Sequence, residues 1–206
     1  MVTLNEQEEF WKQNFGDEYA YREKNSVKII EQRKSEFEKY LKSTTNIGSI
    51  LEFGGNIGLN LQVLKSSIKD VDLHAVEINS SAVKELEKVI PSENIFEGSF
   101  TEFSSEKKFD LVFTRGVLIH LNPDRLQKAY DQLYKYSNRY ILISEYYSPE
   151  PVAIDYRGFK NKLFKRDFCK ELRDRYDELT LIDYGFLYSS DVHKYDDNTW
   201  FLLEKR

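Results

Sequence analysis

Two glutamates and a glycine-rich turn are the residues of this sequence whose types and spacing best suit chemistry. Glu52 precedes Gly54 by two positions, Gly58 follows the turn, and Glu77 comes 19 residues after Gly58. Glycine permits a tight turn close to a ligand, and the backbone N–H groups at a helix start suit polar ligand atoms. An acid at the next strand end, about 20 residues on, suits ribose hydroxyls. The two acids together indicate a nucleoside that carries a positive charge.

Two other nucleotide motifs do not match this turn. A dinucleotide fingerprint requires a third glycine where Leu61 stands, and a Walker-type phosphate loop requires a Lys-Ser/Thr pair that the sequence lacks after the turn.

The surrounding pattern alternates strands and helices. Apolar runs at 47–53, 71–76, 109–113 and 140–144, with a short run at 94–97, predict strands, and helices are predicted from 59, over 80–89 after Asn79, and after Asn122-Pro123-Asp124. Such alternation predicts a parallel sheet covered on both faces. Residues 1–42 are predicted to be helical, 147–163 irregular and 164–176 helical. The runs 179–188 and 199–204 are predicted to form a hairpin.

The composition limits which partners, metals and locations are expected for this protein. The 206 residues are 40% hydrophobic and carry a formal net charge of −5, which gives no global attraction to nucleic acid. Cys169 is the single cysteine, and His74, His120 and His193 have no metal-ligand spacing, so we expect no metal. No apolar run has the ~18 residues of a membrane helix, and no signal pattern begins the sequence. We expect a cytoplasmic, soluble protein.

The pattern Glu52-x-Gly54-x-x-x-Gly58 followed by Glu77 resembles the first two motifs of class I S-adenosylmethionine (SAM)-dependent methyltransferases. Asn56 stands where that family usually has a central glycine, and asparagine tolerates left-handed backbone angles. The resemblance implies SAM as cofactor and a Rossmann-like, seven-stranded, mostly parallel sheet with a C-terminal antiparallel hairpin. It also implies one methyltransferase domain over 1–206, with a helical cap (1–42), a cofactor-binding core (47–146) and a substrate-side segment (147–206).

A narrower resemblance covers nearly the whole sequence. Its matching pieces lie at 15–19 (Phe-Gly-Asp-Glu-Tyr), 55–61 (Gly-Asn-Ile-Gly-Leu-Asn-Leu), 137–147 (Ser-Asn-Arg-Tyr-Ile-Leu-Ile-Ser-Glu-Tyr-Tyr), 156–158 (Tyr-Arg-Gly), 163–168 (Leu-Phe-Lys-Arg-Asp-Phe) and 200–204 (Trp-Phe-Leu-Leu-Glu). Together they look similar to the pseudaminic acid biosynthesis-associated methylases, and Asn56 fits that group. The implied acceptor is a nonulosonic, sialic-acid-like sugar or its nucleotide-activated precursor.

The expected cofactor site combines strand ends with an N-terminal lid. In the family, the adenine lies behind the third strand and the methionine part lies over the segment after the fourth. An aromatic N-terminal lid over the cofactor and plain core packing both remain open for residues 10–19. The predicted cofactor-binding residues are Glu52, Gly54, Gly55, Asn56, Gly58, Asn60, Leu61, Glu77, Ile78, Ser99, Phe100, Thr114, Arg115, Gly116, Tyr19 and Arg22.

The acceptor side offers two candidate bases and a basic segment. Glu145, at the end of the fifth strand, is preferred by position over His120, although His120 titrates near neutrality in ordinary surroundings. The predicted substrate-binding residues are Tyr146, Tyr147, Tyr156, Arg157 and Lys165. Arg157 and the neighbouring lysines suit an anionic acceptor.

These observations predict SAM-dependent methyl transfer to an oxygen or nitrogen atom of a small polar, anionic acceptor, without nucleic acid or membrane partners. Two alternatives stay open: an NAD-dependent sugar-nucleotide oxidoreductase or epimerase, and a non-catalytic partner that binds the cofactor.

Overall fold

The computed structural model describes residues 4–22, 27–188 and 197–206. The strands in these residues are β1 (Ser49–Phe53), β2 (Asp72–Glu77), β3 (Ile95–Glu97), β4 (Phe109–Arg115), β5 (Ser137–Glu145), β6 (Val152–Tyr156), β7 (Phe159–Lys165), β8 (Leu179–Leu187) and β9 (Asn198–Lys205). The helices are α1 (Glu6–Lys12), α2 (Asn14–Arg22), α3 (Val27–Tyr40), α4 (Leu59–Ser67), α5 (Ser80–Leu86), α6 (Pro123–Tyr136) and α7 (Phe168–Arg175). Among them, no helix has the length and apolar character needed to cross a membrane.

Seven of the strands form one twisted sheet in the order β3-β2-β1-β4-β5-β9-β8. The first five are parallel, and β9 runs antiparallel to both β5 and β8. This confirms the predicted seven-stranded sheet and its C-terminal antiparallel hairpin. Strand order reverses between β1 and β4, and ligands of open α/β sheets bind at such a reversal, beyond the carboxyl ends of the strands.

The core occupies both faces of the sheet because successive strand residues point in opposite directions. Leu51 and Phe53 of β1 pack toward α6, whereas Ile50 joins the cluster that includes α3 and α4. All three side chains are fully buried. At about 1.5–3 kcal/mol for each buried side chain of this kind, such residues fix the position of the strand ends.

The N-terminal helices differ from the sequence prediction in where they break. The interruption falls at Gln13, after α1, and Gly16 lies inside α2. A Cβ atom on Gly16 would lie 1.8 Å from the carbonyl oxygen of Trp11, so a glycine is required for this close approach of α1 and α2. The prediction of helical structure before β1 is confirmed for the described residues.

A second hairpin is present where residues 147–163 were predicted to be irregular. Strands β6 and β7 pair antiparallel through the two-residue turn Arg157-Gly158, whose φ angles are +51° and +86°. Left-handed angles at both turn positions give the twist that a tight hairpin needs. Because β7 continues to Lys165, α7 begins at Phe168, capped by Asp167, and the prediction of a helix from 164 was wrong at its start.

The start of α6 agrees with the prediction, since the Asn122 side chain accepts a hydrogen bond from the N–H of Asp124. Helix α5 is capped by Asn79 as predicted but ends at Leu86, three residues early. His193 and most of the predicted connection between the last two strands lie outside the described residues, as does the side chain of Arg22.

Candidate functional site

A deep cavity opens at the carboxyl ends of β1, β2 and β4, where the strand order reverses. Helices α1 and α2 cover it from one side, and hairpin β6–β7 borders it. Its sequence-predicted lining residues are Tyr19, Gly54, Gly55, Asn56, Asn60, Glu77, Ile78, Ser99, Phe100, Arg115, Gly116, His120, Tyr146 and Tyr156. The cavity therefore brings together residues from the predicted cofactor, catalytic and substrate sets.

The glycine turn after β1 has the left-handed backbone that its sequence suggests. Gly54 and Gly58 both have φ +82°, and Asn56 has φ +45°. The prediction that asparagine can adopt this conformation in place of glycine is confirmed. A Cβ atom on Gly54 would lie 2.4 Å from Cγ2 of Val117, so the first glycine is also required by space.

Glu77 joins the glycine turn to the next loop. One carboxylate oxygen accepts a hydrogen bond from the backbone N–H of Asn56 at 2.7 Å, and the other accepts from that of Asn79 at 2.8 Å. Burial raises the pKa of Glu77, while these backbone N–H groups oppose the shift. Glu77 thus lines the cavity and fixes the shape of the turn.

Glu52 lies on the same sheet face as Glu77. Its register partner is Ala75, and Glu77 stands two residues further along β2, so both side chains project the same way. Glu52 is fully buried, and burial raises its pKa to about 8. Asn60 donates from Nδ2 to Oε1 at 2.6 Å, whereas Glu52 Oε2 and Asn60 Oδ1 are buried without a hydrogen-bond partner among the described residues. Glu52 lies behind Asn60 rather than on the cavity wall.

Ser99 and Phe100, which follow β3, line the cavity and also hold other parts of the protein together. The Ser99 hydroxyl is hydrogen-bonded to the Glu8 carboxylate of α1, so the cap and the sheet are joined there. Phe100 stacks on Phe53 with ring centroids 3.9 Å apart, which gives one ring face to the core. Both residues still line the cavity.

His120 lies in the cavity wall between two aromatic rings. Its ring centroid is 4.5 Å from that of Trp11 and 4.9 Å from that of Tyr156. Nδ1 is 2.8 Å from the carbonyl oxygen of Lys162 in β7, and a carbonyl can only accept. The neutral ring therefore donates from Nδ1 and keeps a lone pair on Nε2. Burial lowers the pKa of His120 to about 4, so the ring is neutral at pH 7.

Glu145 does not lie in the cavity, which argues against its predicted role as the base. One of its oxygens accepts hydrogen bonds from Thr114 Oγ1 and from the backbone N–H groups of Val117 and Leu118, at 2.5–3.1 Å. Burial raises its pKa to about 7. The carboxyl group holds the segment after β4 in place, and Thr114 belongs to that buried network rather than to a cofactor contact.

Three further residues, which were predicted to contact the cofactor or the substrate, are placed differently from that prediction. Leu61 is fully buried in the core on the α4 side and does not line the cavity. Tyr147 is 41% exposed and lies beside Phe201, away from the cavity. Arg115 does line the cavity, but its guanidinium binds Glu36 of α3 at 2.7 Å, so its charge is paired inside the protein.

Two basic residues of hairpin β6–β7 lie beside tyrosines that line the cavity, although the basic residues are not themselves in its lining. The Arg157 guanidinium lies 5.5 Å from the ring centroid of Tyr156, and Lys165 Nζ lies 5.3 Å from that of Tyr146. Neither cation forms an ion pair with a described acidic residue within 4.0 Å. Two positive charges without an acidic partner among the described residues therefore lie next to the lining residues Tyr156 and Tyr146.

Several lining residues were not among the predicted site residues. Gln7, Glu8 and Trp11 of α1, Arg33 and Glu36 of α3, and Asn79 belong to this group. Asn79 was predicted only as a helix cap, yet its side chain also donates to Asp17 Oδ1 at 3.0 Å and to the Trp11 carbonyl. The aromatic spacing in α1 was the available signal for Trp11, and it did not distinguish a cavity wall from core packing.

The fold and the cavity at the strand-order reversal define the class of structure: the chain has the fold of SAM-dependent methyltransferases. No protein-family model and no curated protein matches the sequence.

Among solved structures, the chain is similar to magnesium protoporphyrin IX methyltransferase (ChlM) from Synechocystis PCC 6803 with bound SAM, at a TM-score of 0.68 and 12% identity over 100% of both chains. It is similar to the plantazolicin methyltransferase BpumL, in complex with a pentazolic desmethylPZN analog and S-adenosylhomocysteine (SAH), at a TM-score of 0.63 and 14% identity over 93% of this chain and 90% of that one. Streptomyces venezuelae DesVI matches at a TM-score of 0.66 and 11% identity, over 94% and 99%.

Proposed function

We propose that this protein transfers the methyl group of SAM to an oxygen or nitrogen atom of a small anionic acceptor. The observation that carries the proposal is the pair of buried carboxyl groups, Glu52 and Glu77, on one sheet face beside the glycine turn. The bound SAM and SAH in two of the similar structures support the same ligand class.

The cofactor is consistent with atoms that the protein leaves unsatisfied. Glu52 Oε2 and Asn60 Oδ1 are buried acceptors without a donor among the described residues. The ammonium group of SAM offers N–H donors and positive charge at that end of the cavity. Glu77 would receive the ribose hydroxyls, and Ser99 and Phe100 would border the base. When bound, SAM supplies an electrophilic methyl group on a cationic sulfur.

The chain's own contribution to the reaction is alignment and proton removal. Enclosure by α1, α2 and hairpin β6–β7 holds the acceptor in place, and orientation of this kind is a large part of the rate gain in bimolecular transfer. We assign the general base to His120, because this residue lines the cavity and its Nδ1–H is fixed by the Lys162 carbonyl, which leaves Nε2 as the basic nitrogen. A neutral imidazole of this tautomer can accept the proton of an acceptor hydroxyl or ammonium group.

Two basic residues of hairpin β6–β7 suggest the chemical class of the methyl acceptor. Arg157 and Lys165 have no acidic partner within the described part of the chain, and Tyr146 and Tyr156 beside them line the cavity. Guanidinium and ammonium groups in this setting favour a carboxylate or phosphate on the acceptor. With the resemblance seen in the sequence, we propose a nonulosonic, sialic-acid-like sugar or its nucleotide-activated form. The similar structures do not narrow this choice, since their names include magnesium protoporphyrin IX and a pentazolic desmethylPZN analog.

Methyl transfer can be tested directly with SAM that carries a labelled methyl group. The panel is N-acetylneuraminic acid, its CMP-activated form, and neutral N-acetylmannosamine as the matched control without an acid. We expect label on an acidic sugar and none on the neutral one. Binding of SAM with no transfer to any member would favour a non-catalytic partner, and NAD-dependent oxidation of a sugar nucleotide would favour the oxidoreductase alternative.

A further inference from the structure

Glu52 and Asn60 have complementary deficits in their hydrogen bonding. They are two planar groups joined by one hydrogen bond, from Asn60 Nδ2 to Glu52 Oε1, at 2.6 Å. The second oxygen of the carboxyl group and the oxygen of the amide are both buried, and neither has a partner among the described residues. Both of these atoms are acceptors when the carboxyl group is ionised.

A proton on Glu52 Oε2 would remove both deficits at once. It turns that oxygen into an O–H donor, and Asn60 Oδ1 is the acceptor on the group to which Glu52 is already bonded. An ionised carboxylate in the same place would be fully buried with a single neutral amide donor, which strongly disfavours the charged form.

The charged groups around Glu52 act in opposite directions. Arg33 of α3 favours the ionised form, whereas Glu77 at the end of β2 disfavours it, and burial is the largest influence. Glu77 differs because each of its oxygens accepts a backbone N–H, and such bonds favour the charged carboxylate. The geometry therefore places an extra proton on Glu52 rather than on Glu77.

We propose that Glu52 is a neutral carboxylic acid in the unliganded protein, with its O–H donating to Asn60, and that it releases this proton when a cationic amine binds at this end of the cavity. The identity of that amine as the ammonium group of SAM rests on the proposed function. In the step, the O–H bond of the carboxyl group breaks, its electron pair stays on Oε2, and the proton passes to the buffer. The ammonium group then donates to Asn60 Oδ1 in place of the lost O–H, since Asn60 lines the cavity, and the new carboxylate behind Asn60 balances its positive charge.

Proton release can be measured by calorimetric titration of the full chain at pH 7 in phosphate and in Tris, two buffers with very different ionisation enthalpies. We expect the Glu52 carboxyl group to release about one proton for each SAH bound. 5′-Methylthioadenosine, which lacks the amino-acid part and its charge, should bind without release. In Glu52→Gln, SAH should release no proton, while the affinity for 5′-methylthioadenosine should stay within about twofold of wild type.

Equal heats of SAH binding in the two buffers would mean that no proton is released, and this would overturn the proposal. Proton release that persists in Glu52→Gln would overturn it as well. Failure of the proposed cofactor has a different signature, since neither SAH nor 5′-methylthioadenosine would then bind. Thermal unfolding of unliganded Glu52→Gln provides a second measurement. Glutamine has the shape of the neutral acid, so we expect a Tm within about 2 °C of wild type; a large decrease would show that the charged form is needed and would contradict the proposal.

Discussion

The two ends of the cavity are built in different ways. At the cofactor end, the groups are buried and belong to the parallel sheet: Glu52 is fully buried, and Glu77 is bonded to two backbone N–H groups. At the opposite end, which we propose holds the acceptor and call the acceptor end, the groups belong to helix α1 and hairpin β6–β7, and Arg157 stands exposed at the hairpin turn. The parallel sheet therefore positions the side chains at one end, whereas helix α1 and a short hairpin position those at the other.

This difference suggests a division of labour. Rigid elements position a ligand more accurately than loops and hairpins do, and the cofactor end would hold a ligand that is the same in every turnover. Surface hairpins tolerate change more readily, and the acceptor end would set which molecule receives the methyl group. His120 stands at the boundary, because β4 leads into its segment while β7 supplies the carbonyl that orients it. The predictions below separate the two ends by their effects on the cofactor and on the acceptor.

His120→Asn should have the largest effect. An asparagine amide can still donate to the Lys162 carbonyl, but it has no basic lone pair, so we expect kcat to fall by about 10²–10⁴. The dissociation constant for SAH should stay within about twofold of wild type. Turnover with labelled SAM and calorimetric titration with SAH provide the two measurements. Equal losses in both would place His120 in cofactor binding instead.

The pH profile of the wild type gives an independent test of the same residue. A base must be neutral to accept a proton, and burial lowers the pKa of His120 to about 4 from 6.5. The limb that His120 contributes to kcat/KM should therefore fall only as the pH drops through about 4, and it should be absent from His120→Asn. A fall near pH 6.5 that disappears in the variant would contradict the buried, neutral imidazole.

Gly54→Ala should damage the cofactor end. The new Cβ atom would lie 2.4 Å from Val117 Cγ2 in a backbone of φ +82°, so the turn must shift. We expect SAH affinity to fall by at least about 100-fold, which is about 3 kcal/mol. Gly158→Ala is the matched control, because Gly158 also has a left-handed φ, +86°, but nothing lies within 4 Å of its added Cβ. It should cost about 1–2 kcal/mol of stability and leave SAH affinity unchanged.

Arg157→Glu should damage only the acceptor end. Reversing this charge would place an acid where we propose that an anionic acceptor docks, so KM for the acceptor should rise by about 10–100-fold, with SAH affinity unchanged. Lys160→Glu makes the same change of charge on the same hairpin, at an exposed side chain, and serves as the control. A rise in KM of similar size in both variants would show that the effect comes from the overall charge of the hairpin and not from contact between the acceptor and Arg157.

Glu6→Gln should have the smallest effect. It removes the ion pair between Lys162 of β7 and Glu6 of α1, in which the acid is 83% exposed. Water screens the exposed Glu6 carboxylate, and glutamine can still accept a hydrogen bond from Lys162, so Tm should change little. Thermal unfolding at low and high salt provides the measurement. A large decrease in Tm would show that α1 and the hairpin depend on this contact.

The cofactor end was more predictable from sequence than the acceptor end, and the reason is physical. Glu52, the glycine turn and Glu77 lie within 26 residues, so local spacing alone places them on neighbouring strands. The left-handed turn at Asn56 and the cap at Asn79 also depend on local backbone preferences.

The acceptor end depends on contacts between distant segments. Glu145 was preferred as the base from its place after β5, but the backbone N–H groups after β4 occupy its carboxylate, and no local pattern indicates this. Hairpin β6–β7 was missed because the first left-handed position of its turn holds Arg157 rather than the usual asparagine, aspartate or glycine. The alternation of Val152, Ile154 and Tyr156 was the signal that could have revealed it.

The central claim is that the cavity at the carboxyl ends of β1, β2 and β4 holds SAM and its product SAH. Calorimetric titration of the wild-type chain with SAH, and in parallel with NAD, tests it most directly, because it needs no knowledge of the acceptor. The account predicts saturable binding of one SAH per chain and no binding of NAD at the same concentrations. Binding of NAD in place of SAH, or no binding of SAH, would contradict it.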